Sequence, residues 1–170
     1  MINATNKVRE QLISNDDELR QLLEVHLGKP KQVEKHFKAI KNNYKNGKVM
    51  SGLFNVWAFF GGMFYFIYRK MYFIALAIFV ATFFFEYIPL PPKYVNIAFS
   101  AFCAVTAFPF YTEKFFKDAE KSGYGQSNFE EVKEKMAKLG GVNNWAILLF
   151  ILAIILVFLG SYYEASEINN

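Results

Sequence analysis

Residues 53–88 read LFNVWAFFGGMFYFIYRKMYFIALAIFVATFFFEYI, about 36 positions broken near the middle by one basic pair, Arg69-Lys70. That pair decides the topology. Either it is a loop between two membrane spans, or it marks where a short membrane-dipping segment ends and the first full span begins. Three further features bear on the choice: the lengths of the apolar blocks, the placement of lysine and arginine, and a glycine pair.

Apolar blocks cover 53–68, 71–88, 94–111 and 145–163. A helix rises ~1.5 Å per residue and the hydrocarbon core is ~30 Å thick, so ~17 residues is the lower limit for a span. The last three blocks qualify and the first is marginal. If all four cross, with the amino terminus inside, eleven Lys/Arg lie inside and eight outside. If 53–68 enters and returns on the same side, eighteen lie inside and only Lys93 outside. The positive-inside rule selects the second arrangement. Gly61-Gly62 agrees with it, because paired glycines favour a bend over a straight helix.

The expected fold is therefore an all-α membrane protein. It has three transmembrane helices plus a short re-entrant or interfacial helical segment and a small helical cytoplasmic N-terminal region. Residues 1–50 form the cytoplasmic basic region and 51–70 the re-entrant or interfacial segment. Residues 71–163 form the three-span domain with a cytoplasmic loop at 112–143, and 164–170 an external tail with two acids and no base. The prolines at 89, 91 and 92 make the first connection short and stiff, so the first two spans should form an antiparallel hairpin. The first dozen residues, MINATNKVREQL, lack the apolar core of a secretory signal.

Within 1–50, Ser14 or Asn15 is placed to cap a helix opening with Asp16, Asp17 and Glu18, and Gly28 to end it. Pro30 suits the first turn of the next helix, whose polar side carries Lys31, Lys35, Lys38 and Lys41. Seven lysines against one acid between 29 and 48 form a footprint for an anionic partner. Standing before a membrane segment, they favour lipid headgroups over nucleic acid. A solvated helix face that serves only as a topology signal is the plainer reading. In the loop, 130–139 reads as an amphipathic helix, and Glu113 is spaced to pair with Lys117.

The run NVWAFFGGMFYFIYRKMY at 55–72 resembles the signature of a bacterial membrane family, domain-of-unknown-function family 2628. That signature leads from Asn, Trp, Ala and Phe-Phe through a glycine to Tyr-Arg-Lys-Met-Tyr. Leu27-Gly28-Lys29 and Gly140-Gly141 are similar to further family features. The chain departs from the pattern at Met63 and Tyr65, where the family carries proline and tryptophan, and Trp57 sits about one position from its usual place. The resemblance implies a small multi-pass protein of the bacterial inner membrane and transfers no catalytic residues.

Motifs for chemistry are scarce. His26 and His36 have no HExxH, paired cysteines or carboxylate cluster beside them, and no phosphate-binding glycine loop or nucleophile elbow is present. The lone Cys103 sits in an apolar block. No enzyme activity, metal or cofactor is expected. Glu86 is the single acid in the first three blocks, and therefore a candidate intramembrane functional group or an interfacial carboxylate. Arg69 and Lys70, with Tyr68 and Tyr72 at headgroup level, are candidates for lipid or partner contact. Trp57, Lys35, Lys38 and Lys41 are candidates of the same kind.

Two functions are carried forward. One is an accessory or scaffold subunit, or a homo-oligomer, binding partners or anionic lipid. The other is a small channel or transporter assembled by oligomerisation from Asn55, Thr82, Glu86, Asn96, Ser100 and Thr106.

Overall fold

In the computed structural model, residues 4–45 and 54–168 are described, and all their regular elements are helical. The chain begins with three helices, α1 (Ala4–Ser14), α2 (Asp16–Leu27) and α3 (Pro30–Lys45). The Asn15 side chain accepts the Glu18 N–H at 3.2 Å and caps α2. Gly28 closes that helix in the left-handed region at φ 62°, returning its N–H to the Glu24 carbonyl.

After the undescribed residues 46–53 come α4 (Val56–Gly61) and α5 (Met63–Tyr68). They are one helical segment broken at Gly62, whose φ of 47° and ψ of −126° are essentially glycine-only. At the start of the segment the Asn55 N–H bonds the Ala104 carbonyl at 3.1 Å. At its end the Arg69 guanidinium lies 5.5 Å from the Tyr111 ring. Both ends therefore meet the same stretch of one long helix, α7 (Pro92–Lys121). Pro109 in that stretch leaves the Val105 carbonyl without its helical donor, next to the Ala104 carbonyl that Asn55 uses.

Arg69-Lys70 is a tight corner. Lys70 sits at φ 56°, and α6 (Tyr72–Thr82) starts immediately after. This helix is shorter than its apolar block. Beyond Thr82 the aromatic run passes into a single 3-10 turn, Phe85–Tyr87, ahead of prolines that supply no N–H donor. The ring of Phe85 meets Phe99 of α7 at 4.8 Å, so it is this turn, rather than the length of α6, that packs back on α7. Two helices complete the chain, α8 (Phe129–Leu139) and α9 (Trp145–Ile168). Among the described residues, α7 alone is long and apolar enough to cross a membrane; α6 and the apolar stretch Trp145–Gly160 are shorter.

Two environments follow. In the head, α1, α2, α3, the end of α7 and α8 enclose Leu12, Leu19, Leu22, Leu23, Phe115 and Met136, all fully buried. In the body the relation is reversed. Phe73, Leu76, Ile97, Leu156 and Phe158 on α6, α7 and α9, and Phe83 just past α6, all stand exposed. Glu113, at the head end of α7, pairs with Arg9 of α1 rather than with Lys117.

Candidate functional site

The head meets the body at a buried polar layer. α2 presents an apolar stripe of Leu19, Leu22, Leu23 and Leu27, and His26 occupies a position within it. The His26 Nδ1 is 2.6 Å from the Tyr111 hydroxyl and its Nε2 is 3.0 Å from the Asp118 carboxylate. A carboxylate only accepts, so Nε2–H donates to Asp118 and Nδ1 accepts from Tyr111. Lys114, one turn before Asp118, completes an ion pair with it and also donates to the Leu139 carbonyl at 3.0 Å.

Burial lowers the His26 pKa, against the raising effect of Asp118, and keeps the ring neutral. Burial pulls the Asp118 carboxyl upward, but the hydrogen bonds from His26 and Lys114 outweigh it and hold the group below the usual carboxylate range. The His26 side chain is fully enclosed. With both ring nitrogens engaged, it ties α2 to the end of α7.

Gly140-Gly141 lets α8 close on this layer. The Gly141 N–H donates to the His26 carbonyl at 2.7 Å, and a Cβ on Gly140 would stand 2.3 Å from the same oxygen. Lys70 reaches the Lys138 carbonyl at 3.2 Å, so two lysines meet the negative end of α8.

Arg69 faces inward. It is 5% exposed and donates to the Gln32 side chain at 2.7 Å and to the Leu27 carbonyl at 3.5 Å. Its Nε has no hydrogen-bond partner, and no carboxylate lies within ion-pair distance of it among the described residues. His36 stacks on Phe108 and Tyr111, at 4.6 and 4.8 Å between centroids. Burial, reinforced by the charges of Arg69 and Lys35, pushes its pKa down to about 3.

Two clefts flank Arg69 and Tyr65. One, of about 400 Å³, runs between α4–α5 and α9 and is lined by Trp57, Phe60, Gly61, Phe64 and Phe150, with Lys29, Tyr68 and Arg69 also on its wall. The other, of about 300 Å³, includes Gln32, Lys35, His36 and Asn55.

The residues singled out from sequence are thus distributed. Trp57, Tyr68 and Arg69 share the larger cleft. Lys70 caps α8, and the Tyr72 hydroxyl accepts from the Asn143 side chain at 3.2 Å. Lys35 lies over the Phe108 ring. Lys38 pairs with Glu34 and Lys41 with Asp16, so the lysine face divides between the cleft side and ion pairs within the head. Glu86 falls in the 3-10 turn, and its side chain is outside the described residues. Of the candidate pore residues, Thr82 and Thr106 donate to carbonyls of their own helices, both at 2.6 Å. Asn55 caps α4 and donates to the Tyr65 hydroxyl.

Sequence reasoning missed Lys29, Gln32, Tyr111, Lys114 and Asp118. The one available signal was a histidine inside a leucine stripe. Comparison with protein families, curated proteins and solved structures finds no match for this chain.

Proposed function

We propose that this chain is a three-span inner-membrane protein whose cytoplasmic helical head is clamped to a membrane body, and that it acts without catalysis, as an accessory or scaffold subunit or homo-oligomer. The observation that carries the reading is the body's exterior. Trp57, Phe73, Leu76, Ile97, Leu152 and Phe158 are exposed on four different helices. Soluble monomers rarely expose apolar patches larger than a few hundred Å².

The spans are α6 with its following turn, the first two thirds of α7, and the apolar part of α9. The α4–α5 segment is re-entrant, starting against Ala104 within that span of α7 and ending against Tyr111 at its head end, and the amino terminus lies inside. The contacts of Arg69 with Gln32 of α3 and of Lys70 with the Lys138 carbonyl of α8 support this, because both helices belong to the lysine-bearing head. The likeness of 55–72 to family 2628 belongs to the same proposal. The rival reading, an assembled channel, is weakened because the Thr82 and Thr106 hydroxyls are engaged within their own helices.

The test is accessibility in intact cells, with Cys103 replaced by alanine. A membrane-impermeant maleimide should label Leu90→Cys and spare Gln126→Cys. Labelling at 126, or release of the protein by alkaline carbonate, overturns the topology or the membrane assignment respectively.

A further inference from the structure

Arg69 poses a charge problem. A buried guanidinium without a counter-ion is costly, and buried charges are ordinarily paired. Its acceptors here are a neutral amide and a carbonyl at the end of α2, whose helix dipole compensates only part of a unit charge. Lys29, at the mouth of the same cleft, also lacks a carboxylate within ion-pair distance among the described residues.

Both cations approach the same ring, that of Tyr68. Lys29 Nζ is 5.5 Å and Arg69 Cζ 5.8 Å from the centroid of Tyr68, and Lys29 also donates to the Tyr68 hydroxyl at 3.1 Å. From this positive end the cleft continues over Gly61, whose missing side chain keeps it open, between aromatic walls. Its volume of about 400 Å³ falls within the range of small-molecule sites. Positive charge at one end and an apolar trough beyond it match an amphiphile with an anionic head.

We propose that this cleft binds an anionic phospholipid of the surrounding bilayer. The phosphate is held by Lys29, Tyr68 and Arg69, and one acyl chain lies along Trp57, Phe60, Phe64 and Phe150. The ligand supplies the counter-charge that the protein omits and joins α9 to the α4–α5 segment. The inference rests on the membrane reading above.

The experiment uses full-length protein in mild detergent. Retained lipid is read by native mass spectrometry. The thermal midpoint is read after addition of phosphatidylglycerol, phosphatidylcholine or inorganic phosphate. Phosphatidylglycerol should be retained and raise the midpoint, while the other two leave it unchanged. Lys29→Gln, at an exposed position, should weaken phosphatidylglycerol retention about fivefold. Gly61→Leu should reduce it by obstructing the trough, and Arg69→Gln should abolish it.

Equal stabilisation by phosphatidylcholine overturns the anionic head. Full stabilisation by phosphate alone overturns the acyl chain. Unchanged retention in both Lys29→Gln and Gly61→Leu overturns the site. A detergent-dependent protein with no phosphatidylglycerol preference rejects this inference alone. A protein stable without detergent rejects the membrane reading beneath it.

Discussion

The Nε2 of His26 lies 3.0 Å from the Asp118 carboxylate across 92 residues of sequence, and this contact fastens the amino-terminal helices to the end of α7. Because Lys114 shares the same carboxylate oxygen, three helices depend on one acid: α2 through His26, α7 itself, and α8 through the Leu139 carbonyl.

Asp118→Asn should therefore destabilise the protein by about 3–5 kcal/mol, the usual cost of stranding a buried charge. Lys114→Met in the same chain should recover a large part of that loss, since it removes the stranded ammonium. A double-mutant cycle by chemical denaturation in detergent measures the coupling. Additive single effects would show that the two groups do not form a working pair.

Acid should loosen the head. The pKa of His36 is lowered in the folded protein to about 3, and that of His26 is also lowered, so below the unfolded value of ~6.5 the unfolded chain binds more protons. Stability is thus fully present above pH ~6.5 and falls as pH drops, by up to about 1.4 kcal/mol per pH unit for each histidine. Asp118 contributes in the same direction at lower pH, because its pKa is held below the unfolded value. Thermal midpoints measured from pH 7.5 down to 5 should decline. His36→Phe, which preserves the ring stack on Phe108 and Tyr111, should flatten the decline.

Two glycines on the same chain should behave oppositely. A Cβ on Gly140 would stand 2.3 Å from the His26 carbonyl oxygen and 2.7 Å from its Cα, both backbone atoms. Gly140→Ala should cost about 3 kcal/mol or more, in the range of overpacked cores. Gly160 has nothing within 4 Å, so Gly160→Ala in α9 should be neutral or stabilising by up to about 1 kcal/mol. Comparing the two denaturation midpoints checks the pair.

Gly62→Ala isolates the break between α4 and α5. Space is not limiting there, because a Cβ meets nothing within 4 Å, but φ 47° with ψ −126° is closed to alanine. A loss of about 1–3 kcal/mol is expected. A crystal structure of the variant with 56–68 as one straight helix would show that the glycine, rather than packing against α7, sets the bend.

Local features were legible in the sequence because their causes are local. The Asn15 cap, the Gly28 stop and the corner at Arg69-Lys70 depend on residues within five positions of each other. What escaped were pairings between distant residues. His26 with Asp118, Arg69 with Gln32 and Gly141 with the His26 carbonyl join elements whose adjacency no spacing rule encodes. Arg69 illustrates the difference. A charge count places it on one side of a membrane but cannot distinguish an arginine that faces lipid from one folded beneath α2. The length of α6 was overstated for another reason. Hydropathy follows Phe83, Phe84 and Phe85 as span, whereas the helix yields to a turn before the prolines.

The head has a discontinuous core, with consequences for its manufacture. Leu12, Leu19, Leu22 and Leu23 are covered by Phe115, Phe116, Val132 and Met136, which the ribosome adds about a hundred residues later. Until then the newborn helices carry a bare leucine seam, and no amount of local propensity closes it. Emergence of the last half of α7 and of α8 is the event that completes the head, so the amino-terminal part should be vulnerable to proteases and reliant on holdase chaperones through most of its synthesis.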